Sequence, residues 1–289
     1  MNLLLLGNTG QLGWEMRRTL QPLGVVVACD FPEINLTDTA SIRRIVQANR
    51  PQVIVNATAY TAVDKAESEP ELAVAINGTG PGVLAEEAHK LNAVLIHYST
   101  DYVFDGAKGI PYQETDLPRP INVYGESKLA GEQAIQSVKG NYLIFRTAWV
   151  YSMRRDSFVS KVLGWAREQE ILRVVDDQVS NPTWARMLAE VTAQTLARGI
   201  GYLRERTGLY HLAGGGHASR YAWAQEILRL DPEKQEHKVK QLLPALSADF
   251  PVPARRPLFS ALDCRKFEQV FDLRLPVWDK TLELALVQC

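Results

Sequence analysis

No charge of either sign dominates this chain. Its 32 Lys and Arg stand against 33 Asp and Glu, a formal net charge of −1. That balance leaves no electrostatic footprint for nucleic acid or for an anionic membrane surface. Long apolar runs are missing too, and none approaches the ~20 residues that span a bilayer. The opening MNLLLLGNTG has no basic segment ahead of its leucines, and that run is too short for a secretory core. Cysteine is scarce. Cys29, Cys264 and Cys289 are odd in number and far apart, so neither a disulfide framework nor a zinc spacing is legible. A reducing, cytoplasmic setting is the simple expectation. Repeats, low-complexity tracts and Ser/Gly linkers are also lacking. What remains is 289 residues, 46% apolar and 22% charged, enough for one large domain or two small ones with an ample core.

The first half alternates short apolar runs with helical patterns. NLLLLG (2–7), VVVACD (25–30), QVIVNAT (52–58), AVLIHYST (93–100) and YLIFRTAW (142–149) read as strands. Between them lie helical stretches, among them GQLGWEMRRTLQPLG, TASIRRIVQANR, a long one over 71–92 bent near Pro81, and VYGESKLAGEQAIQSV. Strands apolar throughout, separated by helices, argue for a parallel sheet covered on both faces. The expected class is α/β, a Rossmann-type doubly wound parallel sheet with a smaller C-terminal substrate-binding lobe. Residues 1–150 form the nucleotide-binding part. Residues 151–289 form mainly the lobe, with a helix and strand near 185–215 returning to the sheet.

GNTGQLG places Gly7, Gly10 and Gly13 between the first strand and the first helix. Glycine permits a tight turn there and lets backbone approach a pyrophosphate at the helix N-terminus. Asp30 ends the second strand, 17 residues past Gly13. That is close to the ~20 expected of a carboxylate that meets a ribose. A carboxylate favours NADH, although Arg17 and Arg18 could offset its repulsion of a 2′-phosphate. Their alternative is a solvated helix face.

HYSTDYVFDG ends the next apolar run with Ser99, Thr100 and Asp101, and NVYGESKLAGE follows with Tyr124 and Lys128 four apart. With 10 tyrosines in the chain the spacing alone is cheap. On a helix, though, i and i+4 share a face. A neighbouring ammonium lowers a phenol's pKa from its ordinary ~10, and a hydroxyl from Thr100 shares the substrate's oxygen. The chemistry that needs this set is carbonyl reduction, with Tyr124 as proton donor.

These stretches, with VIVNATAYTAVDKAE, FRTAWVY, DQVSNPT and ARRPLFSALD, resemble the extended short-chain dehydrogenase/reductase family, and within it the reductases of nucleotide-linked 4-keto sugars. The resemblance implies NADH or NADPH as cofactor. It implies reduction of the C4 ketone of dTDP-4-dehydro-β-L-rhamnose to dTDP-β-L-rhamnose. It also implies roles for single residues. Gly7, Gly10, Gln11 and Leu12 wrap the pyrophosphate, and Asp30 meets the adenosine ribose. Asn35 and Leu36 lie beside adenine, and Ala59, Tyr60 and Thr61 line the cofactor. Tyr124 and Lys128 serve both cofactor and catalysis, with Thr100. Thr100, Asp101, Tyr102, Val63 and Trp149 face the sugar, and Arg256 meets the diphosphate.

The chain departs from the family pattern in three places. Asn35 replaces a usual carboxylate. Ser180 stands where glycine is usual in DQVSNPT. Some relatives bind Mg²⁺ through glutamates at a subunit contact. Glu15 is retained here, but Arg186 and Gln288 occupy the matching positions, which argues against that metal and against a homodimer that depends on it. Two rivals share the cofactor features: another nucleotide-sugar reductase or epimerase of the same family, and a catalytically silent NADP-binding regulatory subunit.

Overall fold

The structure, a computed structural model, describes residues 1–287. The expectations attached to Gln288 and Cys289 lie outside the described residues. Six strands form one parallel sheet: β1 (Asn2–Leu6), β2 (Val25–Cys29), β3 (Val53–Asn56), β4 (Val94–Thr100), β5 (Asn141–Thr147) and β6 (Gly208–His211). Their order is β2-β1-β3-β4-β5-β6. The chain runs outward from β1 to β2 in one direction and from β3 to β6 in the other, so β1 and β3 flank the switch point where such sheets bind ligands.

Alternate residues of each apolar strand feed opposite cores, as a doubly covered sheet requires. Leu3, Leu5, Val53, Val55 and Phe145 pack with Leu12 and Met16 of α1 (Gln11–Thr19). Leu4, Leu6, Ile54 and Leu95 pack with Ile42 of α2 (Thr39–Asn49) and Leu84 of α3 (Gly80–Lys90). The helix expected over 71–92 stays helical from Pro70 to Lys90, its hydrogen-bond ladder shifted just ahead of Pro81, which lacks a donor. Its residues Ala75–Thr79 form a π turn. The wider turn puts Asn77 inward, where its side chain bonds both backbone groups of Tyr60 and the Ser127 hydroxyl.

The helix carrying Tyr124 and Lys128 is α4 (Val123–Ser137). Its N-cap Asn122 accepts from the Gly125 N–H at 2.8 Å and donates to the Arg255 carbonyl at 2.7 Å. Two glycines let α4 sit hard against its neighbours. A Cβ at Gly125 would lie 2.2 Å from the Tyr102 carbonyl oxygen, and one at Gly131 2.1 Å from that of Asn77.

Beyond Tyr151, α5 (Phe158–Glu168), α7 (Arg220–Leu230) and α8 (Trp278–Val287) share a separate core centred on Tyr151, Trp184 and Trp223. By contrast, α6 (Ala185–Ala197) returns to α1, and β6 pairs with β5. The helix Arg265–Phe271 also joins the sheet's core through Phe267 and Phe271, a return the sequence pattern did not signal. No helix among the described residues is long and apolar enough to cross a membrane.

The close seat of α4 is directly testable. Gly131→Ala forces a methyl into the Asn77 carbonyl and should cost at least the ~1–3 kcal/mol typical of overpacking. Gly164, in α5, has nothing within 4 Å of its Cβ position. Gly164→Ala should therefore stabilise by about 0.5–1 kcal/mol. Urea denaturation of both variants decides, and equal effects would contradict the packing described.

Candidate active site

The carboxyl ends of the strands open into a cleft of about 820 Å³, lined by Gly7, Gly10, Gln11, Leu12, Asp30, Asn35, Leu36, Ala59, Thr61, Thr100, Asp101, Tyr124, Lys128 and Trp149. That volume suits a cofactor or small molecule. The fingerprint glycines answer to different constraints. Gly7 has a φ of +82°, and a Cβ on it would lie 2.9 Å from the Ala57 carbonyl. A Cβ on Gly13 would lie 2.0 Å from the Gly7 oxygen. At Gly10 the nearest protein atom would be 3.4 Å away, so the protein itself does not demand glycine there. The room is on the cleft side. Gly10 caps α1 without any side-chain hydrogen bond, and no acid occupies the first turn. The first-turn N–H groups thus stand uncapped by side chains at the positive end of the helix dipole. The Gln11 amide oxygen is buried without a partner. The uncapped N–H groups form a donor set that fits a diphosphate, whereas the Gln11 oxygen is an acceptor and takes no part in it.

Asp30 is already engaged. Its carboxylate accepts from the Thr9 hydroxyl at 2.6 Å, the Thr9 N–H at 3.1 Å and the Phe31 N–H at 2.9 Å. Roughly one of a carboxylate's four acceptor positions is left. Asn35 likewise holds the Thr37 N–H and hydroxyl while lining the cleft. Arg17 and Arg18 turn away. Arg17 lies 5.1 Å over the Trp14 ring, and Arg18 reaches Glu190 at 3.2 Å and Glu15 at 3.7 Å. Glu15 thus faces a cation, and Arg186 pairs with Glu190 at 3.4 Å. Among the described residues no group of three or more His, Cys, Asp and Glu is placed to hold a metal ion.

Tyr124 and Lys128 do share the cleft, but not as a hydrogen-bonded pair. Tyr124 lies in the cleft beside Thr100, and desolvation pushes its pKa well above the ordinary value. Lys128 is buried, and its ammonium donates to the Tyr98 carbonyl at 2.6 Å. Burial pushes it down to about 8, with Glu132 one turn away acting in the opposite direction. The expected lowering of the tyrosine by the lysine is therefore not what this arrangement produces. Desolvation dominates, and the tyrosine stays a loaded proton donor. Beneath them a buried Arg146 holds both Glu132 oxygens, at 2.9 and 2.6 Å, and Ser99 donates to the same carboxylate.

Tyr60, Val63, Tyr102 and Arg256 do not line this cleft. The Tyr60 hydroxyl donates to Glu69 at 2.7 Å, and Val63 opens the short helix Val63–Ala66. Tyr102 is buried edge-on to Tyr124, with centroids 5.8 Å apart. Arg256 is ion-paired with Asp64 at 2.7 Å. Asp101 lines the cleft, yet its carboxylate accepts from Thr100 at 3.1 Å, from Ser180 at 2.9 Å and from Ser260. Ser180, legible in the sequence only as a departure from glycine, thus ties the second lobe to β4. Ser260 carried no signal. Neither did Arg220, whose guanidinium lies 3.7 Å over Trp149.

The buried carboxyl of Asp101 gives a pH test. Burial pushes it up to about 6 against the pull of its three hydroxyl donors. The folded state then holds this proton more tightly than the unfolded chain, whose value is ~3.9. The stability it contributes is fully present below about pH 4 and is lost as pH rises through about 6. Asp101→Asn removes the titration. Between pH 4 and pH 7.5 the stability difference should move in the variant's favour by up to about 3 kcal/mol. A difference independent of pH in urea melts would refute this.

The whole chain, residues 1–289, matches the family model described as the RmlD substrate binding domain. It is 42% identical to dTDP-4-dehydrorhamnose reductase of Salmonella typhimurium, over 100% of this chain and 98% of that protein. It is 43% identical to the enzyme of the same name from Escherichia coli K12, over 96% and 94%. Among solved structures, a dTDP-4-dehydrorhamnose reductase from Clostridium acetobutylicum superposes with a TM-score of 0.91 at 33% identity over both full chains. One from Bacillus anthracis, in complex with NADP, gives 0.90 at 32% over 99% of each. A UDP-glucose 4-epimerase of Thermus thermophilus gives 0.81 at 19% identity, over 99% of this chain and 98% of that one, which shows the fold alone. By sequence along its full length and by fold, the chain belongs to the dTDP-4-dehydrorhamnose reductase family.

Proposed function

We propose that this protein is an NAD(P)H-dependent oxidoreductase. It reduces the C4 ketone of dTDP-4-dehydro-β-L-rhamnose to dTDP-β-L-rhamnose. One observation carries the reading: a half-buried, protonated Tyr124 beside Thr100, with Lys128 in the same cleft as the open N-terminus of α1. Gly7, Gly10, Gln11 and Leu12 would hold the cofactor diphosphate. Asp30 would hold the adenosine ribose, Asn35 and Leu36 the adenine, and Ala59, Thr61 and Lys128 the nicotinamide half. Tyr60 would act only through its backbone, which Asn77 fixes. When bound, the nicotinamide supplies the hydride. Residues 151–289 would mainly bind the sugar nucleotide, with 185–212 and 265–271 serving the sheet.

The residues then have separable tasks. Thr100 orients the Tyr124 hydroxyl toward the substrate oxygen. Tyr124 donates the proton that oxygen needs on becoming a hydroxyl. A phenol kept neutral by burial carries that proton at any pH of interest, which a lowered pKa would not ensure. The phenolate left behind is a half-buried anion. Lys128, one turn away, is the cation that offsets it before solvent returns a proton. Trp149 holds the sugar. Its φ of +41° is a left-handed conformation, which costs a non-glycine residue roughly 1–3 kcal/mol and marks functional sites.

Tyr124→Phe keeps the ring and removes the proton. The kcat for the 4-keto sugar nucleotide should fall by about 10²–10⁴-fold, while NADH binding stays near wild type. A folded variant with near-normal kcat would remove Tyr124 from the chemistry. Wild-type protein that binds NADH yet leaves the ketone unreduced would remove the substrate assignment. For the cofactor, Asp30→Ala should weaken both nucleotides, since Thr9 loses its anchor. NADH should lose more than NADPH, because only NADPH sheds a repulsion. Equal losses in equilibrium titrations would show that Asp30 only holds the loop.

A further inference from the structure

Arg220 is the first residue of α7 and reaches Trp149, which lines the cleft, without lining the cleft itself. Its guanidinium stacks 3.7 Å over Trp149 and lies 4.8 Å from the Phe158 ring. It lies near the hydroxyl of Tyr102, whose ring meets Tyr124 edge-on. No carboxylate among the described residues forms an ion pair with it. Asp101 is near enough to act on its charge, but that carboxyl is spent on Ser180, Ser260 and Thr100. The other charge nearby is Arg256, of the same sign. A half-buried cation without a counter-ion is costly unless an anion joins it.

Arg256, which the sequence assigns to the substrate diphosphate, is differently placed. Asp64 neutralises it at 2.7 Å, and the same carboxylate takes the Ala254 N–H at 3.2 Å. That is a strut fastening residues 254–256 to the short helix Val63–Ala66.

We propose that Arg220, not Arg256, is the residue that binds the diphosphate of the sugar nucleotide. The inference rests on the reductase reading above and names the anion contact of that same site. The stacking geometry suits it. Contact with Trp149 uses the guanidinium's face and leaves its in-plane N–H donors free for two phosphate oxygens side by side. The aromatic box fixes the plane before substrate arrives, so little ordering is left to do on binding. Burial, which pushes the guanidinium down to about 10, leaves it fully charged at neutral pH. Trp149 and Tyr102, both expected to face the sugar, flank the same group.

Equilibrium titration with dTDP and with thymidine tests this, using wild type, Arg220→Met, Arg220→Lys and Arg256→Met. NADH affinity and the thermal melt report that each variant is intact. Arg220→Met should weaken dTDP by roughly 10–100-fold and leave thymidine and NADH unchanged. Arg220→Lys should recover part of the loss, because it keeps the charge without the planar fork. Arg256→Met should change dTDP affinity by less than about threefold. Wild-type dTDP affinity in Arg220→Met, or a larger loss in Arg256→Met, overturns the assignment. Arg220-dependent binding of UDP or GDP in place of dTDP would uphold the assignment and fell the thymine-nucleotide reading. A wild type that binds no nucleoside diphosphate overturns both.

Discussion

How closely α4 approaches its neighbours decides where everything reactive sits. Tyr124 and Lys128 are carried by that helix, and their partners by β4 and the turn after it. A side chain at Gly125 or Gly131 would drive α4 off the Tyr102 and Asn77 carbonyls. The Tyr124–Thr100 contact and the Lys128–Tyr98 bond would go with it. The motif NVYGESKLAGE is therefore a packing motif as much as a chemical one. Its glycines set the distance and its Tyr and Lys use it. The Glu132–Arg146 pair fixes what remains, the rotation and height of α4 over β4 and β5. A buried ion pair adds little net stability, since desolvation consumes most of the Coulomb gain. Its two-pronged geometry nevertheless admits one register, and register is what a proton donor needs.

Electrostatics in the cleft follow from dryness rather than from a single charged neighbour. Burial raises the Tyr124 phenol and the Asp101 carboxyl and lowers the Lys128 ammonium. Each group is pushed toward its neutral form. For a site that must hand over a proton and then tolerate the anion left behind, that is a usable starting point. The donor is loaded, and the cation that offsets its anion is one helical turn away. The same dryness makes His97 neutral: it is fully buried, bonded to Asn56 at 3.1 Å, and held well below its ordinary pKa. It belongs to the scaffold under the site.

Much of this was legible in the sequence, because periodicity and composition report burial. Strands apolar throughout gave the doubly covered sheet, and GNTGQLG gave the strand, turn and helix around a diphosphate site. Tyr124, Lys128 and Thr100 do meet in one cleft. What could not be read was who else competes for each side chain. Arg256 in ARRPLF looks free in one dimension, but in space Asp64 claims it, 192 residues earlier in the chain. Tyr60 looks like a cofactor residue by position, yet its hydroxyl belongs to Glu69. Asp30 proves to hold Thr9 as well as to face the cleft. Arg220 lies in the irregular half of the chain, in no recognisable motif, and only the fold brings Trp149, Phe158 and Tyr102 around it. Residue type announces chemistry, whereas availability depends on partners that sequence spacing does not encode.

That distinction also accounts for how the two lobes are joined. An apolar seam of Val103, Phe104, Tyr112 and Ala148 against Ala213 and Leu262 contributes, although the second lobe keeps its own core around Trp223. Polar side chains make the connection at the site itself. Ser180 and Ser260 reach Asp101, Asn122 reaches the Arg255 carbonyl, and Asp64 holds both Arg256 and the Ala254 N–H. Each first-lobe anchor is a residue or two from a group expected to work on cofactor or substrate. Asp101 follows Thr100, Asn122 caps the helix that begins just before Tyr124, and Asp64 follows Val63. A shift of the second lobe is therefore transmitted to the Thr100 hydroxyl through one buried carboxylate, and to α4 through its cap. Hydrogen bonds suit that task better than apolar contacts do. They are directional, and they weaken steeply with misalignment, so the reacting hydroxyls come to their positions only when both lobes are in place.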